Sequence, residues 1–251
     1  MATPDELSTL ELRLRQERAH LYDAEYVATH GRWFPNVELS VIRRALRPSP
    51  REVLLELGCG TGRLTVELAP LFREVVAVDR SGASLGLMRD RLRRRGVANV
   101  TVVEADVTLR SWEGTVVDKV LAVQLLQHIP TPARRSVVLH NAWSALRQGG
   151  LIVLVDENHG LIRKVRSKPR EIATSGTLFF HPFGSRELLG DLKSVGFEGV
   201  QIGGCGVLYW MRYRFAPRSL ASIDPAMAFL PGASLVAKFL VSVGKKPEGH
   251  A

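Results

Sequence analysis

The stretch Val53-Leu-Leu-Glu-Leu-Gly-Cys-Gly-Thr-Gly-Arg-Leu-Thr65 decides the fold of this chain. An apolar run with the length of a buried strand enters a turn with glycine at positions 58, 60 and 62, and a segment with helical spacing follows. Glycine tolerates positive φ angles and carries no Cβ, so a ligand can approach the backbone amides of such a turn. The stretch predicts a strand, a turn that binds a nucleotide-like ligand, and a helix.

Two carboxylates follow the next two apolar runs. Asp79 ends the second run, and Asp106 follows the third run by two residues. At the carboxyl edge of a parallel sheet, Asp79 is placed to accept from a ribose diol and Asp106 to meet an adenine amino group. Arg63 stands where a dinucleotide fingerprint requires glycine or alanine, which argues against NAD. The simpler alternative is a plain strand-to-helix turn with both acids as helix caps.

Short apolar runs alternate with helical segments through most of the chain, which predicts a mostly parallel sheet covered by helices. The predicted strands are residues 53–57, 75–78, 100–104, 119–123, 151–155, 200–203 and 235–243. The predicted helices are residues 5–29, 37–46, 62–71, 82–95, 133–147 and 185–195. Two long connections, 157–183 and 204–234, depart from this rhythm, and long loops in compact α/β domains are more often functional than idle.

From about residue 50 to 156 the chain resembles class I S-adenosylmethionine (SAM)-dependent methyltransferases, in particular the small-molecule branch typified by methyltransferase types 11 and 25. The segments that carry the resemblance are Glu56-Leu-Gly-Cys-Gly-Thr-Gly62, Val76-Ala-Val-Asp-Arg80, Val103-Glu-Ala-Asp-Val107, Asp118-Lys-Val-Leu-Ala-Val-Gln124 and Leu146-Arg-Gln-Gly-Gly-Leu151. In the last of these, Gln148 replaces the proline that is usual in the family.

The resemblance implies a Rossmann-like α/β fold. Its seven-stranded sheet is mostly parallel, with helices on both faces and an antiparallel last strand inserted before the sixth. It also implies a single domain over residues 1–251, with an N-terminal helical lid (1–47), a SAM-binding core (50–156) and substrate-side loops with the C-terminal strands (157–251). Tyr22, Tyr26, His30 and Trp33 fall in the lid, where core packing is an equal alternative.

The resemblance further implies SAM as cofactor and a set of residues that bind it. Gly58, Gly60 and Gly62 would face its methionine and ribose, Asp79 the ribose hydroxyls, and Asp106 and Val107 the adenine, flanked by Arg80. Val123 and Gln124 would face the methionyl end, and Glu56 belongs to the same first motif. We expect no metal.

Methyl transfer needs an aligned nucleophile and a group that takes its proton. His128 follows the fourth strand and Asp156 ends the fifth, where some O-methyltransferases of this family pair a histidine with an aspartate. We therefore predict a His128 base oriented by Asp156, against the alternative that His128 only packs. His159 and His181 are reserve candidates. The run of residues 209–215 is expected to pack over the sheet and edge the acceptor pocket.

Composition limits the other classes of function. The chain has 251 residues, a net charge of +9 and two cysteines. No signal peptide or membrane span is expected, which favours a cytoplasmic monomer or homodimer acting on a small-molecule acceptor. The charge keeps RNA or another macromolecular acceptor as an alternative, and the densest basic cluster, residues 89–95, is expected to be a solvated helix face. A SAM-binding protein without catalysis is the remaining alternative.

Overall fold

The computed structural model describes residues 3–109, 112, 114–169, 171, 179–209 and 218–249, with side chains from residue 222 onward in the last range. The strands are β1 (Val53–Leu57), β2 (Glu74–Asp79), β3 (Val100–Glu104), β4 (Val117–Val123), β5 (Leu146–Glu157), β6 (Glu198–Cys205) and β7 (Phe239–Lys245). The helices are α1 (Pro4–Arg18), α2 (Tyr22–His30), α3 (Phe34–Leu46), α4 (Thr65–Leu68), α5 (Gly82–Arg95), α6 (Pro132–Ala145), α7 (Leu161–Val165), α8 (Ser185–Val195), α9 (Arg218–Met227) and α10 (Ala233–Val236).

The described strands form one sheet in the order β3-β2-β1-β4-β5-β7-β6. The first five in this order run parallel, while β7 lies antiparallel between β5 and β6. All five residues of β1 are buried, as expected of a central strand covered on both faces. The predicted Rossmann-like α/β fold, including the insertion of the last strand before the sixth, is thereby confirmed.

Two apolar layers cover the sheet, one on each face. Residues of α3, α4 and α5 form one layer, and residues of α6 and α8 form the other. Helix α3 shows why these segments are helical: Phe34, Val37, Val41 and Ala45 recur at three- and four-residue spacing and are buried. It begins with Pro35 in its first turn and ends at Arg47, whose left-handed backbone precedes Pro48. The layers hold the carboxyl edge of the sheet open toward the N-terminal helices.

Several predicted segments differ from the observed elements by a few residues at their ends, and three differ in kind. The segment 5–29 is two helices, because a 3₁₀ turn at Ala19–Leu21 separates α1 from α2. The helix predicted for 62–71 is a regular α-helix only at Thr65–Leu68, and Pro70 lies in the 3₁₀ turn that follows. The last strand begins at Phe239 rather than at residue 235, because Ala233–Val236 is helical. Of the run 209–215, only Tyr209 lies within the described residues.

Candidate active site

The glycine turn lies between β1 and α4 at the carboxyl edge of the sheet. Gly58, Gly60 and Gly62 have φ angles of 72°, 55° and 74°, a region that L side chains rarely adopt. A Cβ at Gly60 would meet no heavy atom within 4 Å, whereas a Cβ at Gly62 would lie 2.5 Å from Cγ of Met88. Gly60 therefore leaves space open for a ligand, and Gly62 allows α5 to approach the turn.

A cleft of about 450 Å³ lies above this turn and beneath helix α1. This volume falls within the range of small-molecule sites, which is roughly 300–1,000 Å³. Among the predicted cofactor residues, the following line the cleft: Gly58, Gly60, Asp79, Arg80, Asp106, Val107, Val123 and Gln124. The sheet edge thus brings together residues that are distant in sequence.

Glu56 and Gly62 do not line this cleft, and their predicted place at the cofactor stays a prediction. The side chain of Glu56 is buried under the turn and accepts a 2.7 Å hydrogen bond from the Thr65 hydroxyl. Burial raises the pKa of Glu56 to about 7, and the Thr65 hydrogen bond opposes this rise. Glu56 therefore joins β1 to α4 from below, and Gly62 packs against Met88.

The predicted carboxylates Asp79 and Asp106 differ in the hydrogen bonds that they already accept within the protein. Asp79 accepts from the Gly60 amide at 2.8 Å through one oxygen and from the Ser81 amide at 2.9 Å through the other. Each oxygen keeps a further lone pair for a ligand hydroxyl. One oxygen of Asp106 accepts from the Thr108 amide and hydroxyl, and its other oxygen lies 3.6 Å from Arg80. Asp79 shapes the turn, and Asp106 is in part a local cap.

Arg80 fastens helix α1 over the cleft. Its guanidinium donates to the Ser8 hydroxyl at 2.7 Å, to the Ser8 carbonyl at 3.0 Å and to Glu11 at 2.7 Å. Burial raises the pKa of Glu11, and the nearby Arg15 and Arg80 oppose that rise. Arg134 of α6 forms an ion pair with Asp5 of α1. Arg80 does line the cleft as predicted, and it additionally holds the helical cover in place.

Gln124 has a strained backbone at the end of β4. Its φ angle of 52° is rare for a residue other than glycine, and such outliers concentrate at functional sites. Its side-chain amide donates to Oε1 of Glu38 and to the Tyr26 hydroxyl, both at 3.3 Å. A carboxylate only accepts, so the amide nitrogen must face Glu38 and the amide oxygen faces away from it.

Glu38 and Arg63 form a buried ion pair behind Gln124. Arg63 donates to the other carboxylate oxygen of Glu38 at 2.6 Å, and its guanidinium lies 4.1 Å from the ring centre of Tyr26. Sequence reasoning missed Glu38, although an acidic residue beside Val37 and Val41 in an apolar helical stripe was a usable signal. Arg63, the residue that breaks the dinucleotide fingerprint, therefore links α3 to the glycine turn.

The lid aromatics have separate places. Tyr22 lines the cleft, whereas Tyr26 is buried beneath Arg63. His30 lies 3.2 Å from the Tyr209 hydroxyl, and burial lowers its pKa to about 3. Tyr26 and His30 therefore pack within the protein. Of these three residues, Tyr22 alone lines the space that a ligand would fill.

His128 lines the cleft but makes no hydrogen bond to Asp156, which corrects the predicted pairing. Nδ1 of His128 lies 2.9 Å from the Phe179 carbonyl oxygen, and Nε2 of His128 lies 3.3 Å from the side-chain amide nitrogen of Gln127. The buried Asp156 accepts instead from the Gln127 backbone amide at 3.1 Å, and its second oxygen has no hydrogen-bond partner among the described residues. Asp156 therefore holds the turn that carries His128 rather than its ring.

The contacts of His128 fix its proton arrangement. A carbonyl oxygen only accepts, so Nδ1 carries the hydrogen and Nε2 carries the lone pair. Burial, with a contribution from Arg15 and Arg80, lowers the pKa of His128 to about 3. The ring is therefore neutral at physiological pH. The reserve candidate His181 lies between Glu187 at 2.8 Å and Glu171 at 3.4 Å and does not line the cleft, and neither does His159.

Comparisons with known proteins agree with this geometry. Residues 54–150 match the sequence model of a family described as methyltransferase domain. This match lies within the SAM-binding core predicted for residues 50–156, so the chain is similar to class I SAM-dependent methyltransferases over that core. The probable S-adenosylmethionine-dependent methyltransferase Rv3030 of Mycobacterium tuberculosis is 28% identical over 187 residues, which cover 72% of this chain and 61% of that protein. The resemblance read from the sequence, and SAM as the cofactor of the family, are thereby confirmed.

Two further comparisons extend over different shares of the chain. A tRNA (cytosine(72)-C(5))-methyltransferase of Pyrococcus horikoshii is 27% identical over 148 residues, covering 49% of this chain and 38% of that protein. The solved DhpI–SAH complex superimposes with a TM-score of 0.66 at 20% identity, covering 97% of this chain and 98% of that chain. This chain therefore spans less than two thirds of either curated relative, and the solved structure establishes the fold alone.

The cleft also fits SAM by its own chemistry. The unfilled space at Gly60 admits a ligand against the turn, the lone pairs of Asp79 suit a hydroxyl pair, and the fixed amide oxygen of Gln124 suits an ammonium group. No cluster of metal-ligating side chains occurs among the described residues, and none of the helices described there could cross a membrane. A cytoplasmic location and the oligomeric state stay predictions.

Proposed function

We propose that this protein transfers the methyl group of SAM to an oxygen or nitrogen atom of a small-molecule acceptor. The observation that carries the proposal is a cleft of small-molecule size, lined by the family's cofactor residues and covered by α1. When bound, SAM supplies an activated methyl group and leaves as S-adenosylhomocysteine (SAH). The covering helix supports an acceptor that enters a confined space, because Arg80 and Arg134 tie it across the opening.

The low basicity of His128 limits what it does in this proposal. A base with a pKa of about 3 cannot remove a hydroxyl proton before methyl transfer. For an oxygen acceptor it can take the proton that the methylated, cationic oxygen releases, because such an oxonium is a far stronger acid than the His128 ring. A methylated amine is too weak an acid to protonate this ring, so with a nitrogen acceptor the proton leaves to water. We therefore assign Nε2 of His128 the role of a late proton acceptor, with Asp156 as a positioning residue that holds the turn at Gln127.

An RNA acceptor is the second candidate. The net charge of +9 and the similarity to a tRNA methyltransferase favour it. A binding protein without catalysis is the third candidate, and turnover separates it from the other two.

The test begins with calorimetric titration of the purified protein with SAM, SAH and NAD. We expect micromolar affinity for SAM and SAH and no binding of NAD. Radiolabelled methyl transfer from SAM is then measured with a panel of small alcohols, phenols and amines, and in parallel with total tRNA. Label in a small product supports the proposal, and label in tRNA alone overturns the small-molecule acceptor. Absence of SAM and SAH binding overturns the enzyme proposal altogether.

A further inference from the structure

Exposed apolar side chains are concentrated in two segments outside the cleft. Ten large apolar residues are exposed among the described residues, and five of them lie within residues 161–165 and 223–235. Each of these five is more than half exposed, and Val165 reaches 76%. Single exposed apolar residues need no explanation, but a concentration of them marks an interaction surface.

Four of the five lie on or beside two short helices that contact each other. Leu161 and Val165 are four residues apart in α7 and share one face of that helix. The Asn158 side chain donates to the carbonyls of Ser234 and Ala237 at 2.8 and 2.9 Å, which holds α7 against α10. A Cβ at Gly160 would lie 2.6 Å from the Leu235 carbonyl oxygen, so Leu161 and Leu235 are neighbours. Leu230 precedes α10 in the adjoining turn.

This surface carries basic residues and no exposed acid. Residues 158–169 contain Arg163, Lys164, Arg166 and Lys168 and no Asp or Glu, and residues 225–238 contain no acid either. The flanking acids are buried: Glu157 pairs with Arg163 and Lys238, and Asp224 accepts from backbone amides. Glu171, the next acid along the chain, is half exposed but turns its carboxylate toward His181, at 3.4 Å. We define the α7–α10 surface as Leu161, Lys164, Val165, Lys168, Leu230 and Leu235.

The arginine-rich helix α5 has a different character. Three of its arginines are paired with acids: Arg91 with Asp23, Arg93 with Asp90 and Arg95 with Glu67. Three of the five arginines in the densest basic cluster of the sequence are thus paired with acids on the folded surface. At the α7–α10 surface, in contrast to α5, exposed lysines lie beside exposed apolar side chains.

We propose that the α7–α10 surface docks on an anionic lipid bilayer. Aliphatic side chains with adjacent lysines suit the interface of a bilayer, where the chains enter the acyl boundary and the ammonium groups meet the headgroups. RNA recognition makes no use of exposed leucine and valine, since it relies on phosphate contacts and on aromatic or arginine stacking. Helix α7 follows the carboxyl end of β5, the edge that carries the cleft, so docking brings that edge to the bilayer.

The experiment is sedimentation of the full chain with vesicles of phosphatidylcholine alone or of equimolar phosphatidylcholine and phosphatidylglycerol. We expect binding to the anionic vesicles that weakens with salt, and little binding to the neutral ones. Because each lysine near an anionic surface contributes a factor of about 5, the double variant Lys164→Glu and Lys168→Glu should lower the partition coefficient by at least about 30-fold. The double variant Leu161→Ser and Val165→Ser should lower it at all salt concentrations.

Matched control variants lie at the opposite edge of the sheet. Arg44→Glu with Arg94→Glu makes the same change in charge at the ends of α3 and α5, and Val137→Ser removes an exposed apolar side chain from α6. Vesicle binding should persist in these controls, and circular dichroism should give all variants the wild-type melting temperature. Binding of polyuridylic acid is measured in parallel as the test for RNA. The proposal is overturned if the protein does not bind anionic vesicles, or if the control variants lose as much vesicle binding as the surface variants. It is also overturned if the protein binds polyuridylic acid through Lys164 and Lys168 but does not bind vesicles. The vesicle assay contains no SAM, so its outcome does not depend on whether the proposed methyltransferase function is correct.

Discussion

The carboxylate of Asp79 joins the cofactor cleft to the backbone of the glycine turn. Replacing it by asparagine keeps its size but removes one of the two acceptors used by Gly60 and Ser81. Since a hydrogen bond to a charged group is worth about 1.5–3 kcal/mol, Asp79→Asn should weaken SAH binding by roughly 10- to 150-fold. Calorimetry measures this, with Asp90→Asn on the exposed face of α5 as the matched control. Equal affinity in the Asp79 variant and the wild type would contradict the assignment.

His128 differs from an ordinary catalytic histidine because its ring stays neutral. In the assay developed for the proposed reaction, His128→Ala should lower kcat for an oxygen acceptor and leave SAH affinity unchanged, with a loss below the roughly 100-fold typical of a base that acts in the transition state. The wild-type pH profile should carry no inflection near pH 6.5 from this residue, since its pKa lies at about 3. His140→Ala on α6 is the control. An inflection near pH 6.5 that vanishes in His128→Ala would refute the neutral ring.

Asp156 couples the stability of the fold to pH. Burial raises its pKa from an ordinary value of 3.8 to about 7, so the folded state binds a proton that the unfolded chain releases. The stability contributed by this proton is full below about pH 3.8 and is lost as the pH rises through about 7. Asp156→Asn removes the buried charge while an amide oxygen still accepts from Gln127.

The melting temperature of Asp156→Asn should therefore exceed that of the wild type at pH 8.5 and fall to the wild-type value or below it near pH 5. Each kcal/mol corresponds to roughly 2–4 °C for a domain of this size. Calorimetric scans across this pH range measure the difference between the two proteins. A difference that does not change with pH would show that Asp156 keeps the same charge throughout.

At the scale of elements, the ion pair between Glu38 and Arg63 ties α3 to the turn after β1. Glu38 is fully buried, so Glu38→Ala leaves a buried guanidinium without its counterion. We expect a loss of about 3–5 kcal/mol in the free energy of unfolding. The double variant Glu38→Leu and Arg63→Met, which removes both charges, should lose much less. Urea unfolding of the three proteins tests this, and equal losses in both variants would contradict the ion-pair account.

At the scale of the whole molecule, the cleft collects residues from α1, the glycine turn and three strand ends. A ligand that binds only the folded state must therefore stabilise the entire domain. At 100 times its Kd, SAH should raise the melting temperature by roughly 5–10 °C, while NAD should leave it unchanged. Differential scanning fluorimetry gives this shift. The same shift with NAD would argue for a dinucleotide site instead.

Strand ends were predictable from the sequence because a parallel sheet aligns them at one edge. Asp79 and Asp106 stand at the ends of apolar runs, and this order along the chain was enough to predict them at the edge where they line the cleft. Val123 and Gln124 were predicted from the family resemblance alone. That Glu56 and Gly62 lie outside the cleft lining could not be predicted, because motif membership does not reveal which way a residue faces. Packing against Thr65 and Met88 decides that direction, and neither contact has a sequence signature.

Partners across long distances in sequence could not be predicted. His128 and Asp156 both follow strands, and the expected dyad rested on that placement. Their actual partners, the Phe179 carbonyl and the Gln127 amide, depend on how the connection after β5 returns to the turn after β4. Sequence patterns specify where such a connection begins and ends, but the hydrogen bonds within it follow from its packed conformation.

The insertion of β7 between β5 and β6 also constrains how the chain is made. During synthesis β6 emerges before β7, and among the described strands it pairs with β7 alone. Until Phe239–Lys245 has left the ribosome, β6 and the outer edge of β5 both present unpaired backbone groups, and such edges promote association between nascent chains. The sheet therefore cannot be completed before β7 has been synthesised, so a chaperone that shields strand edges would act on this protein before β7 is in place.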